Sequence, residues 1–301
     1  MRVVQGRFVL VFLSFVFLVS CKSIGSSTNV VGGIPAERFT SVVPLITMNE
    51  KANGTRTILT VCSAMVVSDT TLITSGDCFL DSDINLVGIR SSENLYTTKI
   101  FRKNAGYDRS EEYVKYDIGV AVFPEGLFKN LDKVRLATYK PVVGEDVRIV
   151  GYGGYTTKVK KNLSGDMVTK IDPKKPMIKR TGTNILSAHT YCPEGMLEIH
   201  REGKPTTDKE LDRTGKLEYY NASLSNGDSG GPMFRGETSL VLGIASLQNI
   251  VKDTLYDCYS SPILEGNLSF LKRMVETPAI GADIPGIYDI EPLKYVSFNI
   301  K

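Results

Sequence analysis

The sequence predicts an all-β body closed by one short C-terminal helix. Short runs rich in Val, Ile, Leu and Thr recur along the chain, turn residues separate them, and helical spacing is sustained only near the end. The runs are Thr60–Val67, Thr71–Thr74, Ile84–Ile89, Asp117–Phe123, Arg148–Gly151 and Ser239–Leu247, each apolar or alternating. Over Asn267–Glu276 the residues Leu268, Leu271 and Val275 recur at helical spacing. Lys158–Arg180, with Pro173 and Pro176, and Glu198–Leu217, with Gly203, Pro205 and Gly215, read as loops. Residues 278–301 form a Gly- and Pro-punctuated tail, and no repeat at solenoid spacing is visible. A hydrophobic share of 42% and a charged share of 23% are ordinary for a globular chain, so a sizeable core is expected within 301 residues.

Residues 1–20 read as a targeting segment. Arg2 and Arg7 precede an apolar run, Phe8–Val19, that is too short to span a bilayer. Its end, Leu18-Val19-Ser20-Cys21, resembles the bacterial lipobox, which implies a diacylated Cys21 at the mature N-terminus; the alternative is an ordinary signal peptide with an incidental cysteine. Lys22 follows in place of Asp, which in a Gram-negative cell implies the outer membrane, facing the periplasm or the surface. Residues 21–29 then form a polar, lipidated tether. The net charge is +3, and without Arg2 and Arg7 it falls to 34 basic against 33 acidic side chains. So even a balance argues against a nucleic-acid partner.

Four further cysteines, Cys62, Cys78, Cys192 and Cys258, are an even number in a chain read as exported, consistent with disulfides in any of three pairings.

Four motifs, in order, carry a family resemblance. They are VVGG at 30–33, CSAMVVSDTTLITSGDC at 62–78, YDIGVAVF at 116–123 and GDSGGP at 227–232, supported by GIAS at 243–246. Together they identify residues 30–277 as resembling the trypsin/chymotrypsin family of serine proteases. That resemblance implies two packed antiparallel six-stranded β-barrels with an active site in the cleft between them. It also implies a Cys62–Cys78 bridge, which leaves Cys192 and Cys258 as a second bridge outside the family pattern or as two free thiols.

The chemistry behind the motifs is specific. A serine hydroxyl is a weak nucleophile until a neighbouring base takes its proton, and the base must be oriented, usually by a buried carboxylate. The oxyanion needs backbone N–H donors aimed at it. By resemblance Ser229 is the nucleophile, Gly227 and Ser229 supply the oxyanion hole, and Asp117 is the orienting acid. The base position, where the family keeps histidine, holds Asp77. A carboxylate near pKa ~4 is a far weaker base than an imidazole near ~6.5. The two histidines, His189 and His200, lie outside the base motif.

Other matching positions depart as well. The family's Ser-Trp-Gly is Ser246-Leu247-Gln248 here, so the strand that would hold substrate backbone is altered and Gln248 narrows the specificity pocket. The pocket floor matches Ser223, which is uncharged and implies small or apolar side chains. The activation pair would be Val30 with Asp228, but Asn29 precedes Val30. Asp77, Asp81 and Asp83 lack a recognised cation-loop spacing, so no metal and no cofactor are expected. The expected function is a lipid-anchored protease homologue with little or no endopeptidase activity. It would be a monomer that binds a peptide or protein in the inter-barrel cleft and a membrane through Cys21. The alternative is an active endopeptidase or esterase using Ser229 with a non-standard base.

Overall fold

The computed structural model describes residues 30, 33–91, 94–110, 112–153, 156–161, 167–171, 178–201, 222–251 and 254–276. The stretches read as a signal segment and a lipidated tether, with Cys21, and residues 277–301 lie outside the described residues.

The chain opens with β1 (Ile34–Pro35), then β2 (Val42–Glu50), β3 (Arg56–Val66), β4 (Thr71–Thr74), β5 (Leu86–Ser91), β6 (Asn94–Thr98), β7 (Phe101–Lys103) and β8 (Gly119–Val122). Strands β2 to β8 form one antiparallel sheet in the order β6-β5-β2-β3-β4-β8-β7. Its apolar face packs Leu45, Cys62, Leu72, Val87, Ala121 and Phe128 into a closed core. The strands predicted at 60–67, 71–74, 84–89 and 117–123 are β3, β4, β5 and β8, with ends shifted by a few residues except at β4.

The second half carries β9 (Arg135–Leu136), β10 (Asp146–Gly151), β11 (Thr156–Lys161), β12 (Met167–Ile171), β13 (Arg180–Ile185), β14 (Leu197–Arg201), β15 (Pro232–Arg235), β16 (Leu240–Val251) and β17 (Thr254–Ser260). The order is β1-β13-β10-β15-β16-β17-β14, with β9 pairing β16 in parallel. Val147, Ile149, Ile199, Met233, Leu242 and Tyr259 fill this half. Among the described residues the two sheets hold seven and eight strands rather than six each, because short edge pieces such as β1 and β9 add to the ladders. The stretch read as a loop at 158–180 overlaps the antiparallel strand pair β11–β12, whose Thr, Val and Ile content favours pairing despite its charge. The loop read at 198–217 likewise begins inside β14.

A third core joins the halves. Val42, Ile73 and Val120 from the first sheet meet Leu136, Phe234 and Ile244 from the second, under the helix α1 (Glu265–Glu276). The helix buries Asn267, Phe270, Leu271 and Met274, a stripe at i, i+3, i+4 and i+7. Of the expected stripe, Leu271 lies on this face and Leu268 is half-buried. Asn267 fixes the helix start, donating to the carbonyls of Lys115 at 3.0 Å and Ser261 at 2.8 Å. The helix is thereby tied to the turn just before Asp117.

Both cysteine pairs are bridged, Cys62 to Cys78 and Cys192 to Cys258. The second bridge joins β17 to the turn before β14, with Tyr107, Val114 and Met196 packed around it. Two disulfides are what an exported chain in an oxidising compartment carries. Among the described residues no helix is long and apolar enough to cross a membrane.

Candidate active site

The candidate site forms where three turns meet between the two sheets. The first follows β4: Ser75 caps a short 3-10 turn, Gly76–Phe79, that carries Asp77. The second ends at Asp117, just before β8. The third is the 225–231 turn before β15, which carries Ser229.

Asp117 is fully buried, and both carboxylate oxygens are engaged. Ser75 Oγ donates to Oδ2 at 2.6 Å, and the backbone N–H of Asp77 donates to Oδ1 at 2.6 Å. Burial pushes its pKa up to about 6; the Ser246 and Ser75 hydroxyls pull the other way, and the charge of Asp77 adds to the rise. Ser246 Oγ is buried and makes no hydrogen bond to a described residue, while its hydroxyl favours the ionised form of this carboxylate. Ser246 sits at an irregularity where β16 and β17 slip register between Ala245 and Leu247.

The Asp77 side chain turns elsewhere. Its Oδ1 accepts from Arg109 Nη2 at 2.8 Å, from Arg109 Nε at 3.1 Å and from the Tyr107 hydroxyl at 3.3 Å. Burial first, and then the charges of Asp117 and Asp77, push the Tyr107 pKa up, so the phenol stays a donor. The Arg109 side chain is 72% exposed, and such pairs are worth about 0–1 kcal/mol, so the contact orients Asp77 more than it stabilises the fold. No hydrogen bond joins Asp77 to Ser229, and Ser229 Oγ bonds to no described residue. Neither histidine reaches this point. His189 is exposed with Nε2 2.8 Å from the carbonyl of Pro193, and His200 is exposed beside Tyr256.

The serine turn itself is well held. Ser63 N–H donates to the Ser229 carbonyl at 2.9 Å, Ser63 Oγ donates to the Gly227 carbonyl at 3.0 Å, and Tyr152 N–H donates to Ser63 Oγ at 2.9 Å. Gly227 has φ +99°, a conformation that favours glycine. The N–H groups of Gly227 and Ser229 donate to no described residue, which leaves them available to an oxyanion.

Asp228 is buried and takes its hydrogen bonds from within the domain. Gly153 N–H donates to Oδ1 at 2.7 Å; Ser225 N–H and Oγ donate to Oδ2 at 2.9 and 3.2 Å. A Cβ on Gly153 would lie 2.4 Å from both Asp228 Oδ2 and Ser225 Oγ, so only glycine fits there. Burial pushes the Asp228 pKa up to about 7 against these bonds. Val30 places its side chain in the core of the second sheet.

The expected pocket residues Ser223 and Gln248 touch. Gln248 Nε2 donates to Ser223 Oγ at 3.2 Å, to the Leu224 carbonyl at 2.8 Å and to Asp257 Oδ1 at 2.7 Å. Asp257 is buried, and its Oδ2 accepts from Leu224 N–H at 2.8 Å. Sequence reasoning missed Asp257, Arg109, Tyr107, Gly153 and Ser225. A separate cavity of about 570 Å3, lined by Leu186, His189, Met196, Leu197, Ile263 and Leu264, contains none of the candidate catalytic residues.

Two facing β-sheets, with a serine turn, a buried acid and a disulfide-braced turn at their junction, define a serine-protease scaffold. The chain belongs to the trypsin family: the family model described as Trypsin matches residues 46–260. No curated protein matches by sequence. Among solved structures, a mutant of human heparin binding protein superposes with TM-score 0.53 at 14% identity, covering 83% of this chain and 99% of that one. HL collagenase does so with TM-score 0.53 at 13% identity, covering 82% and 99%. Identities this low speak for the fold.

Proposed function

We propose that this chain is a trypsin-family homologue with little or no endopeptidase activity, and that its inter-barrel cleft serves to bind a peptide or protein. The observation that carries this reading is the Asp77 carboxylate, engaged by Arg109 and Tyr107 with no bond to Ser229. Without a base on Ser229, the hydroxyl keeps its proton at neutral pH. Losing the histidine of a Ser-His-Asp site costs on the order of a millionfold in turnover. The assigned parts are Ser229 at the nucleophile position, Asp117 at the acid position and Asp77 at the base position. Gly227 and Ser229 form the oxyanion turn, and Ser223, Ser246 and Gln248 line the substrate side. The domain, 30–277, acts as a monomer. Lipidation of Cys21 tethers it to a bacterial envelope membrane, probed by fatty-acid labelling that Cys21→Ser abolishes.

The test is reaction of the full domain with a fluorophosphonate. Labelling of the domain is expected to be no faster than the background labelling of a Ser229→Ala control. Labelling at the rate of an ordinary serine protease would overturn the reading and favour the second one, a hydrolase with a non-standard base. The unengaged oxyanion N–H groups of Gly227 and Ser229 speak for that alternative.

A further inference from the structure

The cavity of about 570 Å3 lies between residues 140–143, the stretch from Leu186 to Glu198 and the start of α1. Its walls are mostly apolar, built by Val143, Leu186, Met196, Leu197, Ile263 and Leu264. The apolar surface continues past the edge. Val142 and Val143 are 67% and 66% exposed, the highest values for a large apolar side chain among the described residues. Exposed apolar surface beside a cavity marks a place of interaction. The volume falls within the ~300–1,000 Å3 of small-ligand sites, so it takes a few side chains and not a folded partner. The exposed carboxylates at the rim are Glu194 and Glu265, against Lys140. Glu198 is turned inward, where it accepts from the N–H groups of Thr190, Tyr191 and Cys192.

The chain itself supplies a segment of matching chemistry. Residues 277–301 follow α1, whose first turn borders the cavity. A helix of 12 residues is about 18 Å long, and the 16 residues 277–292 reach up to ~50 Å, so residues 293–301 can return to the cavity. Pro278, Gly281, Pro285 and Gly286 suit a reversal of direction. In the last stretch Val296, Phe298 and Ile300 alternate with Ser297 and Asn299, which gathers apolar side chains on one side. The same stretch holds both lysines of residues 277–301, Lys294 and Lys301, and none of their acids, the charge that complements Glu194 and Glu265.

We propose that residues 293–301 dock in this cavity of their own chain, seating Val296, Phe298 and Ile300 on its apolar walls and bringing Lys294 and Lys301 toward Glu194 and Glu265. Met196, one wall of the cavity, shares a core with the Cys192–Cys258 bridge and with Tyr107, whose hydroxyl donates to Asp77. The docked segment therefore braces the packing behind the Asp77 turn. Docking is independent of whether Ser229 reacts.

The experiment is amide hydrogen exchange on the full chain in dilute solution. The comparison variant combines Val143→Lys with Glu265→Lys, two exposed positions, and so sets positive charge against the two lysines. Residues 293–301 are expected to exchange at least tenfold more slowly in the parent than in the variant. Thermal unfolding checks that both are folded, and Val143→Lys alone replaces the double variant if that one does not fold. Equal exchange in parent and folded variant overturns the proposal. Protection that appears only at high protein concentration also overturns it, since a second copy then fills the cavity. Photo-crosslinking from Phe298→p-benzoylphenylalanine locates the segment. Crosslinks within the monomer to Val143, to residues 194–197 or to residues 263–265 are expected. Crosslinks only elsewhere, or only between two chains, overturn the assignment.

Discussion

Asp77 touches Asp117 through its backbone and not through its side chain, with the N–H 2.6 Å from Oδ1. In a Ser-His-Asp site the side chain of the middle residue joins the acid to the serine. Here that link is missing at both ends: the acid is satisfied by Ser75 and a peptide N–H, and the middle side chain is bound to Arg109.

Restoring an imidazole therefore tests the remaining parts. Asp77→His is expected to raise fluorophosphonate labelling of Ser229 at least ~100-fold, the scale of a positioned base. Arg109→Ala alone is expected to leave labelling at the parent level, because freeing a carboxylate does not make it an imidazole. Equal gains in both variants would show that Asp77 is a working base held back by Arg109.

Stability should fall as pH rises through neutrality. Burial raises Asp117 and Asp257 to about 6 and Asp228 to about 7, whereas carboxyls in the unfolded chain titrate near ~4. Between these values the folded chain holds more protons than the unfolded one. Each acid's contribution is thus complete below about pH 4 and lost as pH climbs through 6 to 7. The urea midpoint is expected to be higher at about pH 5 than at about pH 8; a midpoint that increases over that range contradicts the assignment of these three acids.

Gly153→Ala should damage the serine turn. The added Cβ collides with the Asp228 carboxylate and Ser225 Oγ, and overpacking of this kind costs about 1–3 kcal/mol. The expected result is a lower unfolding midpoint together with faster amide exchange at 225–231. Unchanged exchange there would mean that the turn does not depend on the Gly153 contact.

The bridge outside the family pattern should matter to stability. Cys192 and Cys258 are 66 residues apart, and closing a loop of that size is worth about 2–4 kcal/mol. Replacing both with alanine is expected to lower the denaturation midpoint accordingly. Alkylation of the intact chain under non-reducing conditions is expected to modify none of the four domain cysteines.

Much of this was legible in the sequence because local pattern and tertiary role agree. Thr71–Thr74, three β-branched residues and a leucine, is strand β4. Strand β2 has no counterpart among the predicted runs, and Pro44 within it argues against a central strand. The ladder resolves this: β5 pairs with β2 only from Leu45 onward, so Pro44 lies past the end of that partner. The site divides along the same line. Ser229, Asp117 and Asp77 sit in motifs with fixed local spacing. Asp257 does not; it is one acid in an alternating strand, and only the register that sets it opposite Gln248 gives it meaning. Arg109 and Tyr107 come from a turn-rich stretch whose path over Asp77 is a tertiary fact.

Ser63 carries a last consequence. One residue of the first sheet holds the Ser229 carbonyl, the Gly227 carbonyl and the Tyr152 amide together. The Gly-Asp-Ser-Gly-Gly-Pro segment is in this respect a rivet between the two halves of the molecule. A rivet is retained for the joint it closes, whether or not bonds are cut beside it, so an intact serine signature in this scaffold reports on architecture before it reports on chemistry.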